Sequence, residues 1–209
     1  VSTAAPAATE AAQAAPAPAP APRTAHTSEP IHPVLAERWS PRSFDQHAIV
    51  TDAQVTAALE AARWSPSASN SQPWRFIVAR RGTPEFDTIV AHLVGFNAAW
   101  AGSAALLVVN IAELEGADGS ARPWARYDLG GAVAHFTIQA HHDGLHVHQI
   151  GGFDATGLGV ALRLPDRFAP MSISAVGVVG PADALAEPAR QREIAPRTRL
   201  PLTDLLTVG

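Results

Sequence analysis

From Ala104 up to Asn110 the chain reads Ala-Ala-Leu-Leu-Val-Val without a polar interruption. A run of this length and composition reads as a buried strand, and the remaining elements have to be arranged around it. The longest core helix is expected from Tyr127 to His142, with Leu129, Val133, Phe136 and Ala140 turned inward and Gly144 stopping it. Gly130, Gly131 and Ala134 leave room for another backbone to approach that helix, which suits a central or interface position.

Shorter elements flank these two. A brief helix is expected at Ile31 to Leu35, with Val34 and Leu35 buried. Thr51-Asp52-Ala53-Gln54 has capping-box spacing and opens a helix ending near Trp64, with Val55, Leu59 and Ala62 on its apolar face. Phe76-Ile77-Val78 reads as a core strand. Thr83-Pro84 reads as a cap followed by proline at the first helical position, leading into Phe86, Ile89, Val90 and Leu93 at helical spacing. The polar segment Glu113 to Arg122 reads as a loop or lid. A strand at Leu145 to His148, a helix at Ala155 to Leu162 and a strand at Met171 to Val178 follow. Strands and helices mix without regular alternation, and no glycine-rich dinucleotide fingerprint or phosphate loop of the lysine type occurs, so an α+β sandwich is favoured. Leu200, Leu202, Leu205 and Leu206 form an apolar end that can pack on a partner subunit or fold back on its own domain.

Residues 1–30 are almost entirely alanine, proline, threonine and serine, with alternating Ala-Pro from Ala15 to Pro22, and are expected to be a disordered extension to a single domain at 31–209. That segment has no continuous apolar run of the kind a signal peptide or membrane anchor needs. The sequence contains no cysteine, which excludes disulfides and thiolate chemistry and fits a cytoplasmic protein. All 15 basic residues are arginine, against 19 acidic ones, for a formal charge of -4. Lysine Schiff-base catalysis is therefore excluded, and nothing favours a nucleic acid or membrane partner.

Two polar clusters carry the candidate chemistry. Arg38, Ser40 and Arg42 alternate, so an extended turn would point all three at one anion. Arg197 and Arg199 form a second alternating pair at the far end of the domain; alone, the first group reads equally well as exposed residues on a turn, and the pair reads more often as a solvated surface. Ser67, Ser69, Asn70 and Gln72 lie on a loop bounded by Pro66 and Pro73, where they can grip the edge of a flat polar ring or satisfy one another. Asn97 precedes the buried strand and needs a partner for its amide. Gly151-Gly152 permits close approach of backbone N–H groups to a ligand, or marks a plain strand-to-helix turn. His141, His142, His146 and His148 are split by Gly144 and lack metal-ligand spacing, and no serine-hydrolase elbow occurs.

Taken in order, Arg38-Trp39-Ser40-Pro41-Arg42-Ser43-Phe44, Ser65 to Trp74, Asn97-Ala98-Ala99-Trp100, Tyr127-Asp128-Leu129-Gly130, Gly144 to Asp154 and Arg197-Thr198-Arg199-Leu200-Pro201-Leu202 resemble the FMN-dependent nitroreductase superfamily over Ile31 to about Leu206. The resemblance implies a nitroreductase-like sandwich, with a mainly antiparallel central sheet flanked by helices, in an obligate homodimer holding FMN at its interface. Arg38, Ser40, Arg197 and Arg199 would hold the phosphate and ribityl chain, and Arg42 and Asn97 would meet the pyrimidine edge. Pro66, Ser67, Ser69 and Asn70 would come from the other subunit, and Gly151 and Gly152 would lie near N5. The implied activity is ping-pong hydride transfer from NAD(P)H to a small acceptor such as a nitroaromatic or quinone, with no side-chain acid or base and no metal. The alternatives are a flavin-fragmenting or dehalogenating enzyme and a flavin-storage protein. Some family members place an acidic residue where this chain has Gly151.

Overall fold

The computed structural model describes residues 23–207; the Ala-Pro part of the expected extension, residues 1–22, lies outside them. Four strands, β1 (Trp74–Arg80), β2 (Leu106–Glu113), β3 (His146–Ile150) and β4 (Phe168–Gly177), form one sheet in the order β1-β2-β4-β3, and every pairing is antiparallel. All of β2 is buried. The reason is visible in the register of its side chains: Leu106, Val108 and Ala112 enter one core, and Leu107, Val109 and Ile111 enter another. Period-two alternation with both faces covered turns an ordinary strand pattern into a continuous apolar run.

The first core lies under α2 (Asp52–Arg63) and α4 (Ala125–His142), and the second under α3 (Pro84–Ala91), α5 (Ala155–Ala161) and the short turns around Trp100. The fold is therefore α+β, a central antiparallel sheet flanked by helices. Thr51 and Gln54 make the full capping box of α2, and the Thr83 hydroxyl accepts from Phe86 N–H at the start of α3. Asn110, the one polar residue within the β2 apolar surface, donates to the hydroxyls of Ser172 (2.9 Å) and Ser174 (2.8 Å). Burial of its amide is thereby compensated.

Three expectations need correction. The first helix, α1 (Pro33–Glu37), buries none of its residues, and Leu35 is 43% exposed, because a single short turn packs against little else in one chain. β1 lies at the sheet edge and buries only Trp74 and Ala79, so Phe76, Ile77 and Val78 are partly covered rather than central. Glu113 does not open a loose polar loop. It ends β2 at 3% exposure and pairs with Arg122 (2.8 Å), Arg75 (3.0 Å) and Arg167 (3.4 Å). Arg122 also donates to Ser71 O at 3.1 Å, tying the 114–122 segment to the loop before β1.

Among the described residues, no helix is long and apolar enough to cross a membrane.

Candidate functional site

The turn from Arg38 to Phe44 follows α1 and crosses the end of β4. Phe44 bridges Val179, Asp45 N–H donates to Val178 O, and Gly180 N–H donates to Ser43 O. A Cβ at Gly180 would sit 2.8 Å from the Phe44 backbone, so only glycine allows this approach. Underneath, His148 on β3 donates from Nδ1 to Pro41 O at 2.8 Å and packs against Trp100 with ring centroids 4.5 Å apart. His146 faces the Trp39 edge and stacks edge-on with His141. Burial holds both strand histidines down to about 4, reinforced by His141 and Arg38 at His146 and by Arg42 at His148. Both imidazoles are neutral at pH 7.

The chain returns to this turn through α6 (Ala189–Ile194). The Glu193 carboxylate accepts from Arg42 N–H (2.8 Å) and Ser43 N–H (3.2 Å). Burial raises its pKa, and those two donors together with Arg42 and Arg23 oppose the rise. The next residues run past α1, where the Arg197 guanidinium donates to Ala36 O at 2.7 Å and to Arg23 O.

The result is a cavity of about 310 Å³ lined by Arg23, Arg38, Arg42, Arg192, Arg197 and Arg199, with Trp39, Ser40 and Thr198. Among the described residues, no acidic side chain lines it. Burial lowers the pKa of Arg38, and the charges of Arg197 and Arg199 lower it further; Arg197 is lowered by burial, then by Arg199 and Arg23. Among the described residues, the buried Nε atoms of Arg38 and Arg42 have no hydrogen-bond partner. Cations packed closely enough to oppose one another, with donors unused, are chemically matched to a bound polyanionic oxygen cluster such as a phosphate monoester. The residues present thus fit a phosphorylated cofactor.

Arg38, Ser40, Arg42, Arg197 and Arg199 are therefore brought together from opposite ends of the fold. Asn97 and Gly152 meet beside them, with Asn97 Nδ2 donating to Gly152 O at 3.3 Å. The link to the cavity is Phe96, whose ring carries the guanidinium groups of Arg192 at 4.3 Å and Arg42 at 5.7 Å. Gly151 is exposed, with open space around it.

Pro66, Ser67, Ser69 and Asn70 do not line this cavity. Their loop is held by Ala68 N–H donating to Asp128 on α4 (3.1 Å) and by Gln72 N–H donating to Ser67 Oγ (3.0 Å). Ser69, Asn70 and Gln72 all have φ between 46° and 54°. Three non-glycine residues in the left-handed region are costly, and such strain is characteristic of functional loops.

Sequence reading missed Arg23 and Arg192 as cavity residues. Each carried a faint signal: Arg23 is the sole basic residue in the first thirty, and Arg190 and Arg192 alternate as Arg197 and Arg199 do.

Fold and site together define an α+β sandwich with a cationic pocket for a phosphorylated ligand. The family model "Nitroreductase family" matches residues 35–85. An uncharacterized 15.4 kDa protein of Mycolicibacterium smegmatis is 33% identical over 142 residues, covering 65% of this chain and 95% of that protein. A putative NAD(P)H nitroreductase, YdgI, of Bacillus subtilis is 31% identical over 85 residues, 41% of this chain and 40% of that protein. The crystal structure of an oxidoreductase containing FMN superposes with a TM-score of 0.82 at 31% identity, covering 88% of this chain and 94% of that one. The chain belongs to the FMN-dependent nitroreductase superfamily, whose general activity is flavin-dependent oxidoreduction.

Proposed function

We propose that the protein is an NAD(P)H-dependent FMN oxidoreductase of the nitroreductase type, working as a homodimer. The observation that carries this reading is the cavity lined, among the described residues, by six arginines and no carboxylate, with two buried guanidinium Nε atoms unused there. Arg38, Ser40, Arg197 and Arg199 would hold the phosphate and ribityl chain. Arg42 and Asn97 lie toward the Phe96 side of the cavity and would meet the pyrimidine edge, where a fixed positive charge favours electron uptake. Gly151 and Gly152 would border the reactive side of the ring. When bound, FMN supplies reversible hydride exchange at N5, so no side-chain acid or base is assigned.

The loop with Pro66, Ser67, Ser69 and Asn70 lies away from this cavity, which supports its contribution to the site of a second subunit. Large apolar groups left uncovered in one chain support the dimer: Trp124, Tyr127 (78% exposed), Leu200, Leu202, Leu205 and Leu206. The dinucleotide and a nitroaromatic, quinone or similar acceptor would use the same open side in turn, which is ping-pong order.

Purified protein should be a yellow dimer. Its visible absorption should fall under anaerobic NADH or NADPH and return on addition of a quinone or nitroaromatic. Flavin that neither nucleotide reduces would sink the enzymatic part of the reading. Colourless protein that takes up no added FMN would sink the whole.

A further inference from the structure

Arg23 lies ahead of α1 in a polar and proline-bearing stretch, yet it lines the cavity, which no residue of α1 does. Its guanidinium donates to the carbonyl oxygens of Glu193 and Ala195 and lies 4.1 Å over the Trp39 ring. Its own carbonyl accepts from the Arg197 guanidinium. Two residues on, Ala25 N–H donates to Ala36 O at 2.8 Å, and Ala36 O also accepts from Arg197.

One short segment therefore touches all three pieces of the cavity wall: the turn at Trp39, the end of α6, and the stretch carrying Arg197. The contacts to Glu193 and Ala195 use backbone acceptors that a helix end otherwise leaves to water. The guanidinium fork, which can bridge two acceptors while stacking on an aromatic ring, suits arginine rather than lysine. Arg197 is aimed by two carbonyls: that of Arg23 belongs to this segment, and that of Ala36 in α1 is shared with Ala25 N–H.

We propose that residues 23–25 are a strap that positions the phosphate-binding arginines, with Arg23 as the positioning residue that couples the N-terminal segment to cofactor affinity. The inference rests on FMN occupying the cavity. It adds that the grip on the phosphate depends on a segment outside the folded sandwich. Arg23 acts through Arg197 and the α6 end, so its effect belongs to the phosphate and not to the ring.

The test compares FMN with riboflavin, which lacks the phosphate, by fluorescence titration of full-length apoprotein. In wild type, FMN should bind more tightly than riboflavin. Arg23→Ala should lower FMN affinity about tenfold or more, the scale expected when the support of a ligand-holding group is removed, while leaving riboflavin affinity unchanged. Arg23→Lys, which keeps the charge but loses the planar fork and its stacking face, should fall between. Ala25→Pro removes the donor to Ala36 O without touching Arg23, and should act in the same direction should Arg23→Ala fail to fold. A preference for FMN over riboflavin undiminished in Arg23→Ala or, where that chain is unfolded, in Ala25→Pro overturns the strap alone. Equal losses for both ligands also overturn it, since they mark general loosening. Wild type that does not distinguish the two ligands overturns both the strap and the phosphate reading of the cavity.

Discussion

Arg38 is the residue most burdened by its surroundings. It is half-buried, its Nε has no partner, its side-chain bond is to Ser40 Oγ at 3.2 Å, and Arg197 and Arg199 oppose its charge. A bound phosphate removes all of these penalties together. Arg38→Ala should therefore weaken FMN binding by on the order of 1.5–3 kcal/mol, the value of a charge-assisted hydrogen bond. Arg199→Ala should cost a comparable amount, since its recorded bond is only to the neighbouring Thr198 O. Titration of the apoprotein checks both, and unchanged affinity in the two variants would move the phosphate elsewhere. The strand histidines make a second residue-level prediction. Their folded pKa values, about 4, lie below the ordinary 6.5. The unfolded chain then takes up protons first as the pH drops. Their contribution to stability is full above about 6.5 and is lost progressively from there toward about 4. The melting temperature should fall across that window, and His148→Asn, which keeps a donor for Pro41 O but does not titrate, should flatten the decline. A melting profile equally steep in the variant would contradict the assignment.

Among the elements, the end of β2 is the best example of a polar residue acting as a fastener. Glu113 joins Arg75 on β1, Arg122 on the following segment and Arg167 before β4, and Arg122 extends the tie to Ser71. Glu113→Ala should destabilise the fold by about 3 kcal/mol, near the lower end of the cost of breaking a buried ion pair, because its partners reach solvent. Chemical denaturation measures this, and a loss below about 1 kcal/mol would reduce the cluster to surface decoration. Most elements were legible beforehand because their signals are local: the Thr51 capping box, the Thr83-Pro84 start and the apolar run of β2 depend on neighbours within a few positions. Glu113 was not, because its polarity reads as loop until three arginines from separate parts of the chain are seen to meet it. Leu35 failed in the opposite direction, since an apolar residue on a one-turn helix has no local rule that guarantees it a cover. Arg23 was hidden by its context. Alanine and proline on its N-terminal side describe the segment as a whole and say nothing of one side chain.

For the whole molecule, the outward face of α4 carries the strongest implication. Gly130 and Gly131 have no atom within 4 Å of the place a Cβ would take, and Trp124 and Tyr127 stand exposed beside them. Within one protomer, Gly131→Arg is therefore free of clashes and gains helix propensity of roughly 0.5–1 kcal/mol. Against a second subunit packed on that face, the same arginine is an obstruction. If the proposed dimer forms through this face, the variant should sediment with less dimer and bind FMN more weakly, as linkage requires for a site shared between subunits. A dimer of undiminished mass that retains its FMN would place the contact elsewhere. The candidate site was legible to the same extent: the arginine pairs could be found as alternating residues, but their convergence, and the distance of the serine loop from them, are properties of the folded chain alone.

The glycine pair after β3 divides into two unlike positions. A Cβ on Gly152 would come 2.5 Å from Asn97 Nδ2, whereas one on Gly151 would meet nothing within 4 Å. Gly152 is thus locked by its neighbour, and Gly151 is a blank. A carboxylate introduced there, as in Gly151→Glu, should leave folding intact while discouraging anionic electron acceptors relative to neutral ones. A ratio of turnover with the two kinds of acceptor would read that change directly. The wild-type chain carries no charge at this position, so under the proposed function its choice among acceptors should be adjustable by a single codon.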